Sequence, residues 1–289
     1  MSTKLIVNAD DFGWSEGVNS AVARARREGI LTSASLMVTG DAMDEAVALA
    51  REDPSLAVGL HLALSGEARS ALPHSAIPDL VDSSSRFSNN PARAALLYYF
   101  NRRARVQLAD EIEAQFEKFA ATGLKLSHVD GHQHLHAHPV VLPIVLKLVT
   151  HYGVSGIRVP RDPFCDNLRV DRSHIPSKIT TALGHAHLSR VCRGALRDCG
   201  IAVCDVVIGS MMSGCMTDDY VIGMLKRIKC DSIEMFFHPI DGPRVDPQGP
   251  NPGDLATLIN PWIREFIIEN DYELTTYPGL AQATLGGPQ

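Results

Sequence analysis

Lys4-Leu5-Ile6-Val7-Asn8-Ala9-Asp10-Asp11-Phe12-Gly13 begins as an apolar run of strand type and ends in two adjacent carboxylates and a glycine. The same grammar returns along the chain. Val58-Gly59-Leu60 runs into His61, residues 124–127 run into His128-Val129-Asp130-Gly131-His132, Gly156-Ile157 runs into Arg158, and residues 233–237 run into His238. Each apolar run reads as a buried strand, and each is followed by a stretch with helical spacing. Strands are expected at 5–7, 31–38, 56–62, 124–129, 155–159, 202–208, 232–237 and 272–276. Helices are expected at 15–28 (closed by Gly29), 41–51, 92–121 (ended by Gly123), 139–152, within 173–197, at 218–228 and at 254–269.

Strand–helix alternation with nearly continuous apolar strands implies parallel pairing with helices outside. Seven or eight such units predict an α/β fold, a single (β/α) barrel that is distorted or incomplete, occupying residues 1–289 as one domain. In a parallel barrel all the polar residues that follow the strands lie at one rim, the carboxyl ends, where such folds place their chemistry. Three irregular stretches, 65–90, 161–172 and the Pro/Gly-rich 238–253 (Pro247 among them), read as functional loops.

Composition narrows the partners. The 289 residues carry 27 Lys plus Arg against 33 Asp plus Glu, a formal charge of −6, which argues against a nucleic-acid binder. No apolar run reaches the ~18 residues of a membrane span, and the first residues lack a signal-peptide layout, so a cytoplasmic protein is expected. Six cysteines without a C-x-x-C pair read as reduced packing residues. The sequence has no Gly-x-Ser-x-Gly elbow, no phosphate-binding P-loop and no G-x-G-x-x-G after the first strand, which disfavours serine hydrolase, P-loop and Rossmann readings.

Twelve histidines are present, and five of them (128, 132, 134, 136 and 138) fall within eleven residues. Neutral imidazole is the commonest metal ligand, but five cannot all bind one ion, and some must serve as hydrogen-bond partners to ligands or substrate. Aspartate plus two histidines with open positions describes a hydrolytic or Lewis-acid site rather than a closed structural one. Zinc suits the mixed N/O set, with magnesium as the alternative. Adjacent Asp10 and Asp11 can divide the work, one binding the cation and the other accepting a proton. Arg158 at a strand end can orient a carboxylate through two parallel hydrogen bonds. Strand alternation puts Glu234, Phe236 and His238 on one face, which makes His238 a candidate general acid.

At these residues the chain resembles the YdjC-like (ChbG) carbohydrate deacetylases, through 8–13, 58–62, 128–136 and 234–239. That resemblance implies a barrel related to the NodB-type polysaccharide deacetylases and metal-dependent removal of acetyl from N-acetylglucosamine units. It assigns Asp11, His61 and His132 to the metal, with His128 as the alternative to His132, Asp10 to the base, Arg158 to its orientation and His238 to the acid. Asp130, His134, His136 and Glu234 fall to the surrounding hydrogen bonds and the substrate. Segments 77–82, 115–124 and 158–163 are similar to the hopanoid-biosynthesis-associated HpnK deacetylases, which implies an N-acetylglucosaminyl hopanoid as substrate. Asp130-Gly131 and Gln133 depart from that branch. A soluble chito-oligosaccharide deacetylase is the nearest rival, and a non-catalytic histidine-rich metal-binding protein is the rival of another class. Residues 93–105, an apolar aromatic run edged by Arg93, Arg102, Arg103 and Arg105, read either as a core helix or as a peripheral contact with an anionic membrane.

Overall fold

The computed structural model describes residues 2–196, 199–244 and 249–285; Arg197 and Pro247 of the sequence reading lie outside them. Among the described residues, eight parallel strands form one sheet: β1 (Thr3–Phe12), β2 (Ser33–Leu36), β3 (Ala57–Leu62), β4 (His128–Gly131), β5 (Gly156–Ile157), β6 (Val206–Ile208), β7 (Ser232–Phe237) and β8 (Tyr272–Thr275). The order is β5-β4-β3-β2-β1-β7-β6, and β8 pairs with the first residues of β1. The two sheet edges curl together. Ala202 bridges Gly156, and Ile157 N–H donates to Ala202 O (3.1 Å) while Val207 N–H donates to Arg161 O (3.1 Å). A distorted (β/α) barrel results, closed at this seam by a few bonds rather than a full ladder.

Side-chain alternation sorts the strands into two environments. Leu5, Val7 and Ala9, Ala34 and Leu36, Val58, Leu60 and Leu62, Val129, Ile157, and Ile233, Met235 and Phe237 join the apolar layer beneath the helices. Their neighbours Asn8, Asp10, Ser33, Ser35, His61, His128, Asp130, Arg158 and Glu234 are buried polar residues. A second, smaller apolar cluster inside the barrel joins Ile6, Val207, Phe236 and Tyr277. Two glycines make room there. A Cβ on Gly156 would lie 2.1 Å from the Tyr277 ring, and one on Gly59 would lie 2.5 Å from the His128 ring.

Several elements differ from the sequence reading. The fourth strand begins at His128, not Leu124, because His128 and Asp130 find hydrogen-bond partners inside the barrel. The helix expected over 92–121 is two, Pro91–Phe100 and Arg102–Ala121. Asn101 is extended between them, and its side chain accepts from Arg103 and Ala104 N–H, so it starts a new helix instead of continuing the old one. The helix expected over 254–269 is likewise two, because Pro261 lacks the N–H to continue and Asn260 caps Trp262. The stretch 161–172 contains a helix, Phe164–Val170. Of the cysteines, Cys192 and Cys204 are buried, whereas Cys165, Cys199 and Cys215 are exposed rather than packed. Among the described residues no helix is long and apolar enough to cross a membrane.

Asn101→Ala removes the acceptor for two helix-start N–H groups and is expected to cost about 1 kcal/mol, lowering the melting temperature by roughly 2 °C for a chain of this size. An unchanged melting curve in calorimetry would show that the break is held by something other than the cap.

Candidate active site

Alternation alone would send Asp10 and Asp11 to opposite faces of β1. The strand instead shifts register between Ala9 and Phe12, and Asp11 takes a left-handed backbone, φ 62°. Aspartate tolerates this conformation better than most residues, at a cost of about 1 kcal/mol. The kink brings both carboxylates to the same end of the barrel. Asp10 reaches Arg158, and Asp11 reaches the histidines of β3 and of the turn after β4.

Arg158, fully buried, lies among three carboxylates. It donates to both oxygens of Asp10 (2.7 Å each), its Nε donates to Glu234 Oε1 (2.9 Å), and its Nη2 lies 2.8 Å from Asp130 Oδ2. Burial opposes the guanidinium charge, yet Asp10, Asp130 and Glu234 together push its pKa well above the ordinary value. Burial also opposes charge on Asp130, but Arg158 and His61 hold its carboxyl well below the carboxylate range. Glu234 moves the other way, upward, because burial outweighs Arg158; Tyr277 donates to its second oxygen (2.6 Å). Asn8 Nδ2 donates to Asp10 Oδ1 (2.8 Å) and Ser35 Oγ donates to Asp130 Oδ2 (2.7 Å).

Asp11, His61 and His132 converge. Oδ1 of Asp11 lies 3.3 Å from His61 Nε2 and 3.2 Å from His132 Nδ1. On the far side of the His61 ring, Nδ1 donates to Asp130 Oδ1 (2.8 Å), the arrangement that orients a metal-binding imidazole with its other nitrogen free. His61 Nε2 and Asp11 Oδ2 are buried and make no hydrogen bond. Despite burial, which disfavours the imidazolium, Asp130 and Asp11 push His61 up to about 10. Excess negative charge thus calls for a positive charge at this spot, and a divalent cation answers it as a proton would. The donor set fits such an ion.

The remaining histidines are placed apart. His128 has Ser127 Oγ at Nδ1 (2.9 Å) and Ser35 Oγ at Nε2 (3.1 Å), stacks on Tyr277, and is pushed down by burial to about 4. With both nitrogens engaged it stands as a buried neutral support. His136 Nε2 donates to Arg158 O (2.8 Å) and is also pushed down by burial to about 4. Gln133 and His134, both left-handed, turn the chain so that His134 Nε2 faces Ser210 Oγ at 3.1 Å. His238 Nε2 lies 3.9 Å from Asp10 Oδ2 across the mouth, and its backbone N–H donates to Asp254 Oδ2 (2.8 Å).

Several of these partners carry no sequence signal of their own. Ser35, Tyr277 and Asp254 belong to unremarkable stretches, and Asp162 lies in the 158–163 segment without being marked out as a site residue. Burial pushes Asp162 up to about 6, and it accepts from Gly209 and Met211 N–H, fixing the turn that presents Ser210. Asn8 could have been found, being a polar residue within an otherwise apolar strand.

A family model described as YdjC-like protein matches residues 4–269. A carbohydrate deacetylase of Brevibacillus brevis is 44% identical over 157 residues, 54% of this chain; the match spans 59% of that relative's length. A carbohydrate deacetylase of Geobacillus stearothermophilus is 30% identical over 278 residues, 94% of this chain and 96% of the relative. An Enterococcus faecalis structure, provisionally assigned to cellobiose-phosphate cleavage, shares the fold at TM-score 0.71 and 23% identity, covering 96% of this chain and 98% of that one.

Arg158→Met leaves three carboxylates buried without their cation and is expected to destabilise the fold by about 3–5 kcal/mol. Without Arg158 the carboxyls of Asp130 and Glu234 lose the strongest attraction that keeps them charged, so their folded-state pKa values rise relative to the wild type, the folded variant takes up more protons than the wild type as pH falls, and the deficit shrinks from pH 8 toward pH 5. Urea denaturation at the two pH values measures it; a deficit independent of pH would show that the knot is not electrostatic.

Proposed function

The chain belongs to the YdjC-like protein family, and on that premise we propose that it is a metal-dependent deacetylase acting on the N-acetyl group of an N-acetylglucosamine unit. One observation carries the reading: Asp11, His61 and His132 bring ligand-type atoms within 4.8 Å of one another, Asp11 Oδ2 and His61 Nε2 being buried and unpaired, beside the Asp10–His238 gap, which suits a cation site next to two proton-handling groups. Asp11, His61 and His132 would hold the ion, with zinc favoured by the mixed N/O donors and magnesium the alternative. When bound, a divalent cation supplies Lewis acidity to the acetyl carbonyl and to the attacking water.

The chain's own residues do the rest. Arg158 fixes Asp10 in the plane of its guanidinium, and Asn8 occupies Oδ1, which leaves a lone pair of Oδ2 for the proton of the attacking water. Across the gap, His238 Nε2 donates a proton to the leaving amine nitrogen. The Asp254 carboxylate holds the His238 backbone, so the acid keeps its distance from the base. Acetate and a glucosamine-bearing product leave.

An N-acetylglucosaminyl hopanoid is the substrate favoured by the likeness of 77–82, 115–124 and 158–163 to the hopanoid-associated branch, with a soluble chito-oligosaccharide as rival. Acetate release from each decides between them. The rival reading as a non-catalytic histidine-rich metal-binding protein gives Asp10 and His238 no task, and it predicts several metal ions per chain.

Asp10→Asn is expected to retain metal and lower kcat by about 10²–10⁴, whereas His61→Ala loses metal as measured by atomic absorption. Wild-type turnover in Asp10→Asn would remove the assigned base. Exhaustive chelation, with metal content verified, is expected to abolish acetate release and readdition of zinc to restore it; full activity in the stripped protein would end the metal reading.

A further inference from the structure

The break at Asn101 has a second consequence. Leu96, Tyr99 and Phe100, three and four residues apart on one face of the Pro91–Phe100 helix, are 60%, 49% and 74% exposed, and Val106 on the next helix is 66% exposed. Arg93, Arg102 and Arg103 stand exposed beside them, and no acidic residue occurs from 83 to 109. The helix Ile175–Leu196 repeats the composition. Ile175, Ile179 and Leu183 (69%) form an exposed stripe, Arg172 and Arg190 are exposed, and 172–196 contains no acid. Nine of the 27 basic residues and none of the 33 acidic ones lie in these two stretches.

Both helices pack against the rim turn His132–Ala137. The Tyr99 ring lies 6.4 Å from that of His138, and the His185 ring lies 5.0 Å from that of His134. They therefore flank the turn that delivers His132 to the mouth.

We propose that these two helices form a docking face that seats the mouth of the site on an anionic lipid bilayer. A bilayer satisfies both halves of the composition: apolar side chains enter the boundary between headgroups and acyl chains, while arginines stay at the phosphates. An acidic protein would leave Leu96 and Phe100 without need, and a second copy of this chain would bring like charges together. The overall charge of −6 does not forbid the contact, because charges farther than about 8–10 Å are screened at physiological salt and the local arginines dominate. The inference deepens the deacetylase reading by fixing where its substrate resides, and it rests on that reading only for the identity of the mouth.

Binding is measured without turnover, by co-sedimentation of the full chain with vesicles of equimolar phosphatidylglycerol and phosphatidylcholine, against phosphatidylcholine alone. The protein is expected to partition at least tenfold more strongly onto the anionic vesicles. The pair Arg102→Gln/Arg103→Gln should lower that partitioning by roughly tenfold or more, at about one kcal/mol per basic residue near the surface, and Leu96→Ser/Phe100→Ser should do so as well. Acetate release from a soluble chito-oligosaccharide, or the far-UV circular dichroism melt if none is released, should be unchanged in both pairs. No partitioning onto anionic vesicles, partitioning indifferent to both pairs, or a wild-type dimer in size-exclusion chromatography that the Leu96/Phe100 pair dissolves would each overturn the proposal. Because the vesicle assay needs no catalysis, its failure and that of the deacetylase reading are told apart.

Discussion

Arg158 is the point on which the barrel interior turns. One guanidinium, cut off from water, has to neutralise and orient the carboxylates of Asp10, Asp130 and Glu234, which arrive from β1, β4 and β7. Its planar fork allows this: both oxygens of Asp10 are taken by its two terminal nitrogens, while Nε and an edge of Nη2 remain for the others. The Phe236 ring, 4.4 Å from the guanidinium carbon, covers one face. Buried ion pairs seldom add net stability against an apolar core, so this knot makes best sense as a device for geometry. It fixes Asp10 within reach of His238 and Asp130 within reach of His61.

The knot is also unbalanced. With Asp11 added, four carboxyl groups stand against one arginine, and two of them, Asp11 and Asp130, enclose His61. A buried excess of negative charge is costly unless something positive joins it. The same imbalance that draws a proton to His61 makes the mouth a place for a cation. Cation binding and proton handling thus follow from one charge distribution, divided by the left-handed kink at Asp11.

Much of this was legible in one dimension. The apolar runs that end at Asp10, His61, Asp130, Arg158 and His238 mark strand ends because a parallel strand buried on both sides has little other use for such residues. Boundaries were less legible where polar side chains continued a strand inward. His128 stands at the end of an apolar run yet opens β4, since a polar residue is tolerated inside the barrel once Ser35 of β2 and the preceding Ser127 pair with its ring nitrogens. At Asn101 and Pro261 capping and the missing proline N–H outweigh an unbroken apolar pattern, so stretches that periodicity joins fold as separate helices.

Periodicity and strand-end position are local properties of the chain, and from them alone follow the class of fold, the rim on which polar residues gather and the residue types available there. Which histidine meets Asp11, the approach of Asp10 and Asp11 to one end of the barrel, and the support that Ser35, Tyr277, Asp162 and Asp254 give the site emerge in three dimensions. Those outcomes depend on a register shift, on two consecutive left-handed residues after His132, and on contacts between side chains more than a hundred positions apart. Pairings of that kind are set by the closing of the barrel, and no spacing along the chain records them.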